Sequence, residues 1–229
     1  MASDTPVEPE EGEELRSGPE ELTSKGAQTR RAILNAAIAR FGRDGYRATS
    51  VADIAREAGV SGSLTYAYFP NKEALFLAAA DEDAAGVISE GLTALLDEPE
   101  SADWRETLVF TLLEAVDHHP LARRLLAGLE PEVTARVLDV PALAELRKVI
   151  AERLRSEQLR GSVRDDIDPS SVANGLVAIV LSVLMSLVQL GSELTEIYAT
   201  DVAAVFAAAL DPPHLHGAPP ERGRPLGDG

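Results

Sequence analysis

The chain has 229 residues, a formal net charge of −17 and no cysteine. The length allows one or two domains with a sizeable core. The lack of cysteine excludes a disulfide framework, a thiolate metal site and a cysteine nucleophile. Taken as a whole, the acidity argues against a nucleic-acid partner, so the charge has to be followed along the chain.

Residues 1–23 are acidic and proline-bearing with no apolar run, and they read as a disordered acidic tail, not a signal peptide. Helical periodicity then predicts helices at roughly 27–44, 51–58, 62–69, 71–96, 102–118, 121–128, 131–138, 141–159, 169–191 and 194–210. Pro99, Pro120, Pro131, Pro141 and Pro169 fall at or near the starts of these segments, where a missing N–H costs little. Asp168-Pro169 is the clearest of these signals, an N-cap Asp followed by Pro at the first helical position. Residues 212–229, rich in Pro and Gly, read as a second disordered tail. No alternating run is long enough for a sheet, and no internal repeat is present. The expected fold class is all-α.

The densest information lies between Thr49 and Phe76. Ser50 stands at an N-cap position before Val51, Ile54, Ala55 and Ala58, which share one face of a short helix. Asp53, three residues after Ser50, gives a capping-box-like pattern. Gly59 ends the helix, because only glycine reaches a left-handed conformation there without a steric cost. Ser61 caps a second helix, Pro70 stops it, and Asn71 caps a third. Two short helices joined by a glycine-containing turn form a helix-turn-helix, whose second helix can enter the DNA major groove. Charge agrees with this reading: residues 24–72 carry eight Lys/Arg against three acids, a basic island in an acidic chain.

This segment resembles the DNA-binding domain of the TetR family of transcriptional regulators. Upstream, Arg31-Ala32-Ile33-Leu34-Asn35-Ala36-Ala37 and Phe41-Gly42-Arg43-Asp44-Gly45-Tyr46 look like the family's first helix and the turn after it. Downstream, Tyr66, Tyr68, Phe69, Asn71, Lys72, Glu73 and Leu75 keep the spacing of the third helix's exit and the fourth helix's start. The resemblance implies a three-helix DNA-binding domain at 24–76 and a larger helical effector-binding and dimerisation domain at 77–211. It makes 62–69 the recognition helix. Ser63 and Tyr66 lie nearest base edges, Leu64 and Ala67 within reach of thymine methyls, and Ser61 and Gly62 at the edge of the reading face. Thr49, Ser50, Tyr68 and Lys72 then hold phosphates. Two residues depart from the family pattern. Gly62 stands where a reading side chain is common, and Thr65 where an aliphatic is usual, with a hydroxyl to satisfy on the Ser61 carbonyl. The recognition helix has no Arg, Lys, Asn or Gln, so readout rests on few contacts and on DNA shape.

The run from Val172 to Leu190 is apolar enough to raise a membrane span, but Asn174, Gln189 and the lack of basic flanks count against one. The alternative is a helix buried all round, partly in a core and partly in a subunit interface. The resemblance pairs the last two long helices with their copies in a four-helix bundle, which gives a homodimer through about 170–210. An effector pocket between helices is expected, with Trp104, Leu108, Phe110, Leu112, His118, His119, Leu129 and Met185 as candidate walls. No cofactor or metal is expected. Gly59-Val60-Ser61-Gly62-Ser63 only begins like a nucleophile elbow, and Asp165, Asp166 and Asp168 lack the glycine and distal glutamate of a calcium loop. The expectation is a non-enzymatic, cytoplasmic, ligand-responsive repressor that binds double-stranded DNA. The alternative is a helical dimeric interaction module without sequence-specific DNA binding.

Overall fold

The computed structural model describes residues 19–97, 104–133, 139–191 and 195–212. The helices are α1 (Pro19–Ala48), α2 (Val51–Glu57), α3 (Gly62–Tyr68), α4 (Lys72–Asp97), α5 (Trp104–Val116), α6 (Pro120–Leu126), α7 (Pro141–Arg160), α8 (Pro169–Leu190) and α9 (Thr195–Leu210). No strand occurs among the described residues. The all-α expectation and nine of the ten expected helices correspond to these elements. The tenth, 131–138, is helical at 131–133 and otherwise lies outside the described residues, as do 1–18 and 213–229 of the two expected tails. The largest boundary difference is in α1, which begins at Pro19, inside the stretch read as an acidic tail, and runs on past 44 to Ala48.

Local chemistry explains the helix ends. Gly45 breaks α1 with φ +83° and ψ 168°, a combination closed to other residues, and turns the chain toward α2. Asp168 caps α8 by accepting the Ser171 amide at 2.8 Å, with Pro169 in the first turn. Asn71 does the same for α4 through the Ala74 amide at 2.8 Å.

Two hydrophobic clusters organise the chain. The first joins Ile33, Leu34, Ala37 and Phe41 of α1 to Ile54 of α2, Phe69, and Leu75 and Phe76 of α4. Phe76 meets the Phe41 and Tyr46 rings edge-on, both at 5.0 Å between centroids. The second cluster packs α4, α5, α7, α8 and α9 around Leu112, Leu154, Val177 and Leu210. Burial of each large side chain contributes roughly 1.5–3 kcal/mol. α6 bridges the two: Leu121 and Leu125 pack into the first cluster and Ala122 into the second.

α4 is the spine that fixes both neighbouring helix starts. The buried Asp83 carboxylate accepts the amides of Leu121 at 2.9 Å and Ala122 at 2.8 Å, the first free N–H groups of α6. Asp81, two residues earlier and on the opposite side, accepts the Ala142 amide at the start of α7 at 2.8 Å. A negative charge at a helix N-terminus also meets the positive end of its dipole. Any shift of α4 therefore drags the starts of α6 and α7.

α8 is long and apolar enough to cross a membrane by length and composition. One stripe of it, Ala173, Leu176, Val177, Val180, Leu184 and Leu187, is buried against the other helices. The opposite side is open: Ile179 is 40% exposed, and Ser182 and Ser186 are exposed. Within a single chain the helix is therefore buried on one face, the core half of the expected core-and-interface burial, and the other face is open.

Candidate nucleic-acid interface

The head of the molecule is α1 to α3 with the first turns of α4. α2 starts at Ser50, whose hydroxyl accepts the Asp53 amide at 3.1 Å and donates to the Asp53 carboxylate at 2.6 Å. The Ser50 hydroxyl, and then the Arg56 guanidinium, hold the Asp53 carboxyl below the usual carboxylate range. α2 ends in a Schellman arrangement: Gly59 N–H donates to Arg56, Val60 N–H donates to Ala55, and Gly59 sits at φ +69°. Directly after Val60, Ser61 accepts the Leu64 amide at 3.2 Å and opens α3. These caps set the angle between the two helices, and this turn is what lifts one face of α3 clear of the head.

The helix is sharply divided. Thr65, fully buried, and Phe69 point into the first cluster. The Thr65 hydroxyl donates to the Ser61 carbonyl at 3.2 Å, the partner expected for it. Ser63, Leu64, Tyr66 and Ala67 face outward, with Leu64 at 39% and Tyr66 at 53% exposure. Gly62 is half-buried, and a Cβ placed there meets nothing. Ser61 is exposed, with its hydroxyl 3.0 Å from that of Ser63.

The residues expected to hold phosphates divide differently. Ser50 is exposed at the N-terminus of α2. Tyr68 is half-buried against the first cluster. Lys72 places its ammonium 4.5 Å over the Tyr46 ring and donates to the Arg47 carbonyl at 3.4 Å. Thr49 is a correction: it is only 3% exposed, and its hydroxyl donates to the Gly45 carbonyl at 2.8 Å. The break at Gly45 folds Thr49 under the end of α1, so its hydroxyl closes that helix and does not face solvent.

The basic island is partly neutralised. Arg40 pairs with Glu57, Arg43 with Asp44, Arg56 with Asp53, and Arg47 with Glu132. Arg30 lies 5.5 Å over the Phe69 ring, beside the exit of α3. In the sequence Arg30 is legible only as charge. Its position depends on how α1 crosses α3, which no local pattern records.

The body contains a cavity of about 100 Å³ between α4, α5, α6, α7 and α8. Of the expected wall residues, Leu112 and Met185 line it. Leu108 is in the second cluster, Phe110 is half-buried away from the cavity, and Leu129 is 57% exposed. The Trp104 side chain lies outside the described residues. His118 is exposed beside Glu90 at 3.3 Å. His119 caps the approach to α6, with one ring nitrogen 2.8 Å from Asp83 and the other 3.3 Å from Glu90. These two histidines hold the α4–α6 joint and draw the Glu90 carboxyl below its ordinary range, His118 first. They do not line the cavity. Ile88, Leu125, Leu143 and Val180, all missed in the sequence, do.

Comparison with known proteins agrees with this geometry. Residues 33–79 match the family model of bacterial regulatory proteins, tetR family. The chain is 30% identical over 175 residues to the HTH-type transcriptional repressor Rv1474c of Mycobacterium tuberculosis, covering 73% of this chain and 86% of that one. It is 28% identical over 163 residues to the uncharacterized HTH-type transcriptional regulator YdgC of Bacillus subtilis, covering 69% and 80%. A crystal structure from Mesorhizobium loti, of a protein assigned to the TetR family, superposes with a TM-score of 0.64. It is 23% identical, and the match covers 82% of this chain and 99% of that one, a likeness of fold.

Proposed function

The chain belongs to the TetR family of DNA-binding transcriptional regulators, and on that premise we propose that it is a homodimeric repressor that leaves its operator when a small molecule fills the body cavity. The observation that carries this is the division of α3. Thr65 and Phe69 anchor it, and Ser63, Leu64, Tyr66 and Ala67 stand free on one face. A short helix held this way fits a major groove. Ser50, Ser61, Gly62, Tyr68 and Lys72 surround that face and position the phosphates. Thr49 is left out of the set.

Two further observations support the reading. The open face of α8, around Ile179, Ser182 and Ser186, suits a copy of itself across a two-fold axis. Two heads yoked in this way read half-sites about one helical turn apart or more. The cavity is joined to the head through α6: Leu125 both lines the cavity and belongs to the head cluster. Asp83 ties α6 to α4, so a guest that moves either helix moves the head. The protein acts where the chromosome is, in the cytoplasm, and its division at about residue 76 is between reading head and sensing body.

The test is fluorescence anisotropy with the promoter beside its own gene. Saturable binding is expected, weakening roughly 10³–10⁵-fold between about 50 and 200 mM salt if some six to ten phosphates are contacted. Tyr66→Ala and Lys72→Ala weaken it at least tenfold while leaving the dimer intact. Unchanged affinity in both variants overturns the assignment of the reading face, and no binding to any promoter fragment favours the interaction-module alternative.

A further inference from the structure

Resting on the reading of the body cavity as the effector site, we infer that the part of the effector held there is an uncharged, saturated aliphatic chain. Among the described residues, every one that lines it is Ala, Val, Ile, Leu or Met. Among the described residues, no side-chain hydroxyl, amide, imidazole, carboxylate or guanidinium enters the wall, and no aromatic ring does. Apart from Val140, whose carbonyl accepts the Leu143 amide at 3.1 Å, the described wall residues are helical, and helix hydrogen bonding occupies their backbone polar groups. The nearest carboxylates on α4 are committed elsewhere, Asp83 to Leu121, Ala122 and His119, and Asp81 to Ala142.

Each class of guest meets this wall differently. A charged group loses its hydration and gains no partner, so it is excluded. An aromatic plate finds no ring to stack on. A flexible hydrocarbon gains burial along the whole wall, and the polarizable, unbranched Met185 adapts to its shape. Ile88, Leu181 and Met185 are only partly buried and mark the side nearest solvent, where a terminal polar group stays wet.

The experiment is calorimetric titration of the full-length protein with straight-chain alcohols up to decanol, and with naphthalene and octanediamine. Octanediamine is chosen because one of its two charges has to enter with the chain. Affinity for the alcohols is expected to rise about fourfold per methylene until the cavity is full. Naphthalene and octanediamine bind at least tenfold more weakly than decanol. Val180→Phe fills the cavity and lowers decanol affinity at least tenfold. Should that variant not fold, Met185→Glu at the mouth serves instead, weakening decanol and strengthening octanediamine about tenfold. Equal or tighter binding of naphthalene or octanediamine, binding of none of the probes, or decanol affinity untouched by both variants overturns the inference. DNA anisotropy with and without decanol separates this result from the regulatory reading. Decanol bound with DNA affinity unchanged removes the effector role and leaves the ligand class standing.

Discussion

Glu130 accepts the backbone amide of Tyr46 at 3.1 Å across 84 residues of sequence, and so ties the body to the end of the reading head. The same carboxylate oxygen accepts the Arg124 guanidinium at 2.6 Å, and the Glu130 side chain is nearly buried. Glu130→Ala leaves both donors without this acceptor at a half-buried joint. The expected cost is about 2–3 kcal/mol in urea unfolding. Glu130→Gln keeps an acceptor for Tyr46 but loses the charge facing Arg124, and falls between the two. A loss below about 0.5 kcal/mol for the alanine variant removes this contact from the joint's stability.

Two glycines should respond to alanine with opposite signs. At Gly42 a Cβ lies 2.8 Å from the Pro120 Cβ and 2.9 Å from the Pro120 carbonyl carbon, so α1 and α6 have to part. Gly42→Ala is expected to destabilise by about 1–3 kcal/mol. At Gly62, in helical conformation with open space around it, alanine stabilises α3 by about 1 kcal/mol through backbone entropy. Thermal unfolding of the two single variants decides the matter. The Gly62 variant also tells whether the absent side chain serves close approach to DNA: affinity then falls although stability rises.

The contrast between these positions and the rest of the head explains what was legible in sequence. Helix ends were readable because a cap is a local event: Ser50, Ser61, Asn71 and Asp168 each accept an amide three residues on. The outward face of α3 was readable because a seven-residue helix has room for one buried stripe, and Thr65 with Phe69 defines it. Long-range partners were not. Nothing near Asp83 or Asp81 announces that they cap helices some forty and sixty residues later. In sequence Thr49 passes for a surface hydroxyl, because its burial follows from the fold-back at Gly45. The cavity was the least readable part. Apolar periodicity marks a buried face but not whether that face meets another helix or a void, so in sequence Leu112 and Met185 cannot be told from Leu108 and Phe110, which do not line it.

Acid should weaken the start of α8 in a way one substitution isolates. The Ser171 hydroxyl and amide hold the Asp168 carboxyl below its ordinary range. A carboxyl with a depressed folded-state pKa contributes stability that is fully present above the unfolded value and is lost as pH falls through the folded one. Asp168→Asn keeps a cap but cannot titrate. The wild-type advantage over this variant is therefore expected to be constant near neutrality and to vanish in acid below the usual carboxylate range. Thermal unfolding of the pair across pH measures it, and a difference that does not change with pH removes Asp168 as the titrating cap.

The open face of α8 yields the most direct test of assembly. Ile179 is 40% exposed, although buried Val177 and Val180 sit beside it on the same helix. Exposed apolar surface at the middle of so apolar a helix costs solubility unless a partner covers it. In an isologous two-fold interface each Ile179 faces the same patch on the copy, so Ile179→Glu sets two carboxylates into one apolar seam. Little changes within the single chain, because the side chain points outward, and monomer stability is expected to stay within about 0.5 kcal/mol. Light scattering after size-exclusion chromatography should show the dimer replaced by monomer. Operator affinity should fall at least a hundredfold, since one head then binds without its tethered twin. Val205, 58% exposed on α9, offers a second site on the neighbouring helix, and Val205→Glu should give the same shift. A dimer that survives both substitutions with full operator affinity places the two-fold axis on some other surface.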